Sequence, residues 1–285
     1  MTAFSELADL YTELETVTSH KKIVGLLSSF FKKLDPEDAK IASYLALGTI
    51  GPKYKKTELN IGERLSLRAI KNAYDVPDNK AEDLFAKLGD LGDVASELNK
   101  NGKSSLTMEG VFNHLAMIRD ASGEGSQKKK ITLLSEILAQ ASAIESKYMM
   151  RIALGKLRLG FGEQFLIEAF ALAFTDNKEN AGRIEDTYNV CTDIGQLAES
   201  LSEHGINSMG KFSIKMGRPV QVMLAKRVDT IAELNKKFPG EMAAEEKYDG
   251  ERVQVHINRD KLKVFSRRLE DITSQFPDVV DAVAN

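Results

Sequence analysis

From Thr2 to about Gly205 apolar residues recur at helical spacing and strand patterns are scarce, which confines most of this chain to an all-helical unit. Phe4, Leu7, Tyr11 and Leu14 share one helical face, and Ile23, Leu26, Leu27, Phe30 and Phe31 share another. Start signals punctuate the run. In Asp35-Pro36-Glu37-Asp38 the first residue can cap, proline suits the first helical position, and the acids favour the positive end of the helix dipole. Further starts fall at Asp78, Thr107, Asp193 and Ser142, the last forming a capping box with Glu145. Gly48 is placed to end the helix that Asp35 begins.

Inside this region the sequence repeats itself. Ile61-Gly62-Glu63-Arg64-Leu65-Ser66-Leu67-Arg68-Ala69-Ile70 parallels Phe161-Gly162-Glu163-Gln164-Phe165-Leu166-Ile167-Glu168-Ala169-Phe170, and Ala-Leu-Gly precedes each copy, at 46–48 and 153–155. Each copy reads as helix, glycine-bounded turn, helix. A helix that starts at a glycine can present backbone N–H groups and a positive dipole end to a phosphate. Lys156 and Arg158 lie in the turn of the second copy, and Lys53, Lys55 and Lys56 in the longer turn of the first. Two such units about a pseudo-twofold would straddle the strands of a duplex and neutralise phosphates without reading bases. Taken singly, each of these lysines is equally a solvated surface charge.

Beyond Gly205 the pattern changes. Glycines and basic residues over 207–219 (Gly210, Lys211, Lys215, Gly217, Arg218) mark a linker, so the expected division is 1–206, 207–219 and 220–285. Val253, Val255 and Ile257 then alternate with Gln254, His256 and Asn258, and after Asn258-Arg259-Asp260 the alternation resumes at Leu262 and Val264, which reads as a β-hairpin with His256 exposed. The fold class expected is mainly α, an all-helical N-terminal domain with an internal pseudo-repeat followed by the first part of an α+β domain.

Composition bounds partners and compartment. A net charge of −3 and a pI near 5.9 give no global nucleic-acid signature, so any DNA contact must come from local basic patches. The single cysteine, Cys191, rules out an internal disulfide framework, and the four histidines are not in metal-ligand spacing with it, so no metal ligands are assigned. No signal-like N-terminus and no apolar run of membrane-spanning length is present, and the expected location is cytoplasmic.

The stretch Glu245-Glu246-Lys247-Tyr248-Asp249-Gly250-Glu251-Arg252 carries the chemistry. Lys-x-Asp-Gly-x-Arg occurs by chance in about one chain of this length in a few hundred. A free lysine, with an ordinary pKa of about 10.4, is protonated at neutral pH and cannot attack a phosphate. A neighbouring permanent cation such as Arg252 disfavours the charged form, Asp249 can orient the amine, and Gly250 lets backbone approach a ligand. The competing reading is a solvated lysine before an ordinary Asp-Gly turn.

This stretch resembles motif I of the covalent nucleotidyltransferases, which comprise ATP-dependent DNA ligases, RNA ligases and mRNA capping enzymes. Phe265-Ser266-Arg267-Arg268-Leu269-Glu270-Asp271 resembles the next motif at the spacing of archaeal and eukaryotic replicative ligases, and Met223-Leu224-Ala225, behind Pro219, resembles the opening of their adenylation domain. Gly155-Lys156-Leu157-Arg158-Leu159-Gly160 resembles part of the DNA-binding domain that precedes catalysis in those ligases, a domain capping enzymes lack. The resemblance implies an ATP-dependent DNA ligase sealing nicks in replication, recombination and repair. It implies Lys247 as nucleophile, Glu245 on the adenine, Arg252 and Arg267 on the nucleotide, and ATP with Mg²⁺. It also implies a monomer whose partners are nicked duplex DNA and a sliding clamp. The family's later motifs and its C-terminal OB-fold are absent before Asn285, so the sequence reads as a fragment with an incomplete site. Two alternatives stand beside this one: another covalent nucleotidyltransferase such as an RNA ligase, and a non-catalytic duplex-DNA binder.

Overall fold

The computed structural model describes residues 1–284 apart from 103, 224–226 and 260, so Leu224, Ala225 and Asp260 of the sequence reading lie outside the described residues. The N-terminal unit is built from twelve α-helices in two runs of six. The first run is α1 (Phe4–Glu15), α2 (His20–Phe31), α3 (Pro36–Ala46), α4 (Glu63–Tyr74), α5 (Asp78–Leu88) and α6 (Leu91–Leu98). The second is α7 (Met108–Asp120), α8 (Ser126–Gln140), α9 (Ala143–Ala153), α10 (Glu163–Thr175), α11 (Ala181–Cys191) and α12 (Ile194–His204).

The starts read from sequence are built as expected. Asp35, Thr107, Ser142 and Asp193 each accept a backbone N–H two or three residues into their helices, and Ser142 with Glu145 closes a reciprocal capping box. Gly48, at φ +67, ends α3 in the left-handed region, and Gly155, at φ +63, ends α9 in the same way. Thr49 N to Tyr44 O and Lys156 N to Arg151 O complete matching terminal turns.

The repeat therefore runs further than the stretch visible in sequence. The two copies exchange packing partners: α3 lies on α12 and α9 on α6, while α4 lies on α8 and α10 on α2. At the pseudo-twofold the starts of α1 and α7 meet, Phe4 N donating to Leu106 O at 2.8 Å and Met108 N to Thr2 O at 3.0 Å. Each six-helix run leaves apolar faces that only the other run covers, and one hydrophobic core spans both.

Two caps anchor the exchanged pairs. Asp90 caps α6 and accepts from Arg151 of α9, whereas Asp193 caps α12 and accepts from Tyr44, the counterpart of Arg151 on α3. Two residues beyond each cap stands a glycine at a close crossing. A Cβ on Gly92 would sit 2.6 Å from the Lys147 carbonyl oxygen, and one on Gly195 would overlap the Tyr44 ring. Gly92→Ala and Gly195→Ala should each cost about 1–3 kcal/mol by overpacking and lower the melting temperature by several degrees. A thermal melt within a degree of the parent for both would show that these crossings relax freely.

After α12 a 3-10 turn, Gly205–Lys211, buries Ser208 and Met209 against the helical unit. The extended segment that follows is held on both sides. Thr192 Oγ1 donates to Pro219 O at 2.7 Å, Gln221 N to Asn189 O at 2.7 Å, and the Arg218 guanidinium lies 5.6 Å from the Tyr54 ring centre. Helix α13 (Ile231–Lys237) comes next, then the antiparallel hairpin β1 (Val253–Asn258) and β2 (Lys261–Ser266), and α14 (Pro277–Ala284). The hairpin has its own small buried set, Val264, Phe265, Leu269 and Ile272, separate from the main core.

His256 departs from its expected exposure. It is half-buried, its Nδ1 accepts from Gly217 N at 3.1 Å, and its ring edge meets Phe265. Gln254 on the same face exchanges two hydrogen bonds with the Val220 backbone. Alternation marked this face as solvent-facing, but it grips the segment leaving the helical unit, and polar side chains serve there as hydrogen-bond partners for backbone.

Candidate functional site

The two basic turns come together at the pseudo-twofold. Lys53, in the turn of the first copy, pairs with Glu163 at the start of α10 at 2.6 Å, and Lys156, in the turn of the second, pairs with Glu63 at the start of α4 at 3.1 Å. The pairs are reciprocal, each joining one copy's turn to the other copy's helix start. Burial alone would raise the Glu163 carboxyl, but the hydrogen bond and charge of Lys53 outweigh it and hold the group below its usual range.

Helices α4 and α10 begin at Gly62 and Gly162, and neither start has a side-chain cap. Leu65 N and Phe165 N bond back to the Gly62 and Gly162 carbonyls at 3.1 Å, so only the N–H groups ahead of them are placed for solvent or a ligand. Between the turns lies a hollow of about 220 Å³ lined by Thr49, Asn60, Ala153 and Gly155, among others. Arg158 adopts φ +57, a left-handed conformation unusual for a non-glycine residue, and its guanidinium lies 3.2 Å from Asp90. Asp90 is shared between Arg158 and Arg151. Burial pushes its carboxyl up, while the Asp93 backbone N–H and the two arginines bring it below the usual range. Lys156 and Arg158 are consequently paired residues rather than free charges, although both are more than half exposed on the side-chain scale or close to it (50% and 56%).

The second group of candidate residues is arranged differently. Glu245, Lys247 and Arg252 all fall in the exposed, irregular stretch before β1, and among the described residues no hydrogen bond or ion pair engages the Lys247 amine. Tyr248 beside it is 87% exposed. Arg267 lies in the turn after β2, and because Val253 pairs with Ser266 the hairpin brings Arg252 and Arg267 to the same end. There Ser266 Oγ accepts from Arg268 N and Glu270 N, Leu269 takes φ +70 with its side chain buried, and Arg267 and Arg268 are turned outward. Arg267 shares an open cleft of about 550 Å³ with Lys53, Asn189 and Gln221, at the junction of the helical unit and the hairpin.

Sequence reasoning missed Lys53 and Asn189 as neighbours of Arg267. It also missed Asp90 as a cap, although Asp90-Leu91-Gly92 and Asp193-Ile194-Gly195 are a repeated signal readable from the chain. Among the described residues no cluster of three His, Cys, Asp or Glu side chains stands ready to hold a metal ion. No helix among them is long and apolar enough to cross a membrane.

Comparison with known proteins agrees with the architecture. Residues 3–171 match the family described as DNA ligase N terminus, and residues 222–285 match the ATP dependent DNA ligase domain. The chain is similar to DNA ligase 1 of Methanosarcina acetivorans, 55% identical over 99% of this chain and 49% of the relative. DNA ligase 1 of Methanosarcina mazei is 53% identical over 98% of this chain and 48% of the relative, and a probable DNA ligase of Aquifex aeolicus is 37% identical over 96% and 48%. The chain spans about half the length of the curated relatives it matches. With α1 to α9 and most of α10 of the exchanged helical unit inside the first match and the Lys-x-Asp-Gly-x-Arg stretch inside the second, the chain belongs to the ATP-dependent DNA ligase family, carrying its N-terminal domain and the opening of its ligase domain.

Proposed function

We propose that this chain is the DNA-engaging and nucleotide-accepting part of an ATP-dependent DNA ligase that seals nicks in duplex DNA, working in the cytoplasm as a monomer with a sliding clamp as a further partner. Residues 1–206 would engage the duplex, 207–219 connect, and 220–285 open the adenylating unit. The observation that carries the reading is Lys247, an exposed amine without a hydrogen-bond or ion-pair partner among the described residues, inside the segment matched by the ATP dependent DNA ligase domain.

In the reaction, the Lys247 nitrogen bonds to the α-phosphorus of ATP, the amine gives up a proton, and pyrophosphate leaves with the electrons of the broken P–O bond. AMP then passes to the 5′-phosphate of a nick, and the 3′-hydroxyl displaces it. Glu245 would contact the adenine, and Arg252 and Arg267 would engage the nucleotide. Mg²⁺ commonly binds through one or two carboxylates plus substrate phosphates. Such a site needs no cluster of three acids, and Mg²⁺ would neutralise the ATP phosphates as Lys247 attacks.

Incubation of the full-length protein with α-labelled ATP should label Lys247, and nicked DNA should then be sealed in preference to nicked RNA. The absence of any covalent label would overturn the reading in favour of a binder, and sealing of RNA alone would overturn it in favour of an RNA ligase.

Duplex binding by the helical unit should be independent of sequence and weaken steeply with salt. Replacing Lys156 and Arg158 together with alanine should flatten the salt slope by up to about two units. Glu63→Gln should act in the opposite sense, since it frees Lys156 from its carboxylate and leaves the cation to a phosphate. An unchanged slope in both variants would remove these turns from the interface.

A further inference from the structure

The pseudo-twofold makes one difference between the copies informative. In the second copy, Glu168 of α10 sits 3.3 Å from His20 at the start of α2, so a carboxylate of the chain itself occupies that helix start. In the first copy, Arg68 of α4 stands at the place of Glu168, beside the start of α8. Here an open hollow of about 710 Å³ is lined by Arg68, Asn72, Gln127 and Lys128, and no acid lines it among the described residues.

The start of α8 is unfavourable for its own helix. Lys128, Lys129 and Lys130 crowd the first turn, where the helix dipole disfavours cations, no acid offsets them, and Gly125 provides no side-chain cap. Lys130 is resolved internally, buried and donating to Leu59 O at 2.6 Å. Lys128 and Lys129 are exposed, as are Arg64 and Arg68, which lie one turn apart on α4. None of these four has an ion-pair partner among the described residues. The bond from Lys130 to Leu59 O ties the segment that carries Lys53, Lys55 and Lys56 to this same helix start.

We infer that the face made by Arg64 and Arg68 on α4 with Lys128 and Lys129 on α8 is a second contact surface for the phosphodiester backbone of duplex DNA, more basic than its counterpart across the pseudo-twofold, where Glu168 faces His20 beside Lys21 and Lys22. This rests on the DNA reading above and deepens it. Its charge is unopposed, it continues from the basic turn of the first copy, and its counterpart in the second copy is offset by Glu168. The arm of a duplex lying over the first copy is therefore gripped by more positive charge than the other arm.

The test is binding of the 285-residue chain to labelled nicked duplex across a salt series. The variant Arg68→Ala/Lys128→Ala/Lys129→Ala should flatten the salt slope by about two to three units and weaken binding on the order of tenfold at low salt. Arg68→Glu, which copies the acid the second copy already tolerates, should weaken binding while leaving the melt unchanged. Lys80→Ala/Lys87→Ala/Lys100→Ala removes the same charge elsewhere and should leave the slope near that of the parent. A triple variant at Arg68, Lys128 and Lys129 that binds like the parent, or a control that loses as much, overturns this surface alone. So does a result in which inorganic phosphate stabilises the parent but not the variant while duplex affinity is unchanged, because the site would then take a free anion. A parent that fails to bind duplex at low salt overturns the DNA reading itself.

Discussion

Lys247→Ala in the full-length protein should abolish both AMP labelling and the sealing of ordinary nicked DNA. The same variant should still seal some of a nick that already carries a 5′-adenylate, because the last step uses the 3′-hydroxyl as nucleophile and requires no lysyl adduct. Lys247→Arg should label no better than Lys247→Ala, since the guanidinium stays protonated at any usable pH and offers no lone pair. Truncation effects do not mimic this split. Lys247 lies exposed in an irregular stretch outside the buried core, so its replacement should leave folding intact. Either variant forming wild-type amounts of acid-labile protein–AMP would place the nucleophile elsewhere.

What could be read from the chain was whatever is local. The caps at Asp35, Thr107, Ser142 and Asp193 are short-range devices whose residue types announce them, and all four form as expected. The hairpin was readable from alternation, and β1 pairs β2 in register from Val253 with Ser266 to Asn258 with Lys261. The exchange of helices between copies was not readable, because apolar faces carry no address: nothing in α3 names α12 as its partner. The same holds for charge. Lys53, Lys156 and Glu163 were each visible as part of the repeat, yet the pairing of each turn with the opposite copy's helix start needs the pseudo-twofold to be built first. Unlike partners hid the symmetry further, since Arg151 serves Asp90 where Tyr44 serves Asp193. At the site the motif named the residues, but that Arg267 lines the junction cleft with Lys53 and Asn189 required the hairpin to be set against the helical unit.

Asp193→Ala should be the most destabilising single change in the helical unit. The Asp193 carboxylate is 4% exposed and accepts from Tyr44 Oη at 2.5 Å, Tyr54 Oη at 3.0 Å and Gln196 N at 3.1 Å. Burial and the carboxylate together hold both tyrosine hydroxyls protonated well above their ordinary range, so both remain donors throughout the accessible pH range. Alanine removes a helix cap, costing about 1 kcal/mol, and strands two buried hydroxyls at about 1–3 kcal/mol each. The sum, about 3–7 kcal/mol, corresponds to a fall in melting temperature on the order of 10 °C for a unit of this size. Asp193→Asn should cost less, since an amide oxygen still caps α12 and receives one tyrosine. Tyr44→Phe made on top of Asp193→Ala should add little, because the bond it removes is already gone. The damage should also reach the junction: Tyr54 carries Arg218 on its ring, and the neighbouring Thr192 holds Pro219. Limited proteolysis between residues 212 and 221 should therefore accelerate in Asp193→Ala before the helical unit melts. If that variant melts within about 1 kcal/mol of the parent, the two tyrosines find other acceptors and the carboxylate is not what fastens the exchanged helices to the segment leading to Lys247.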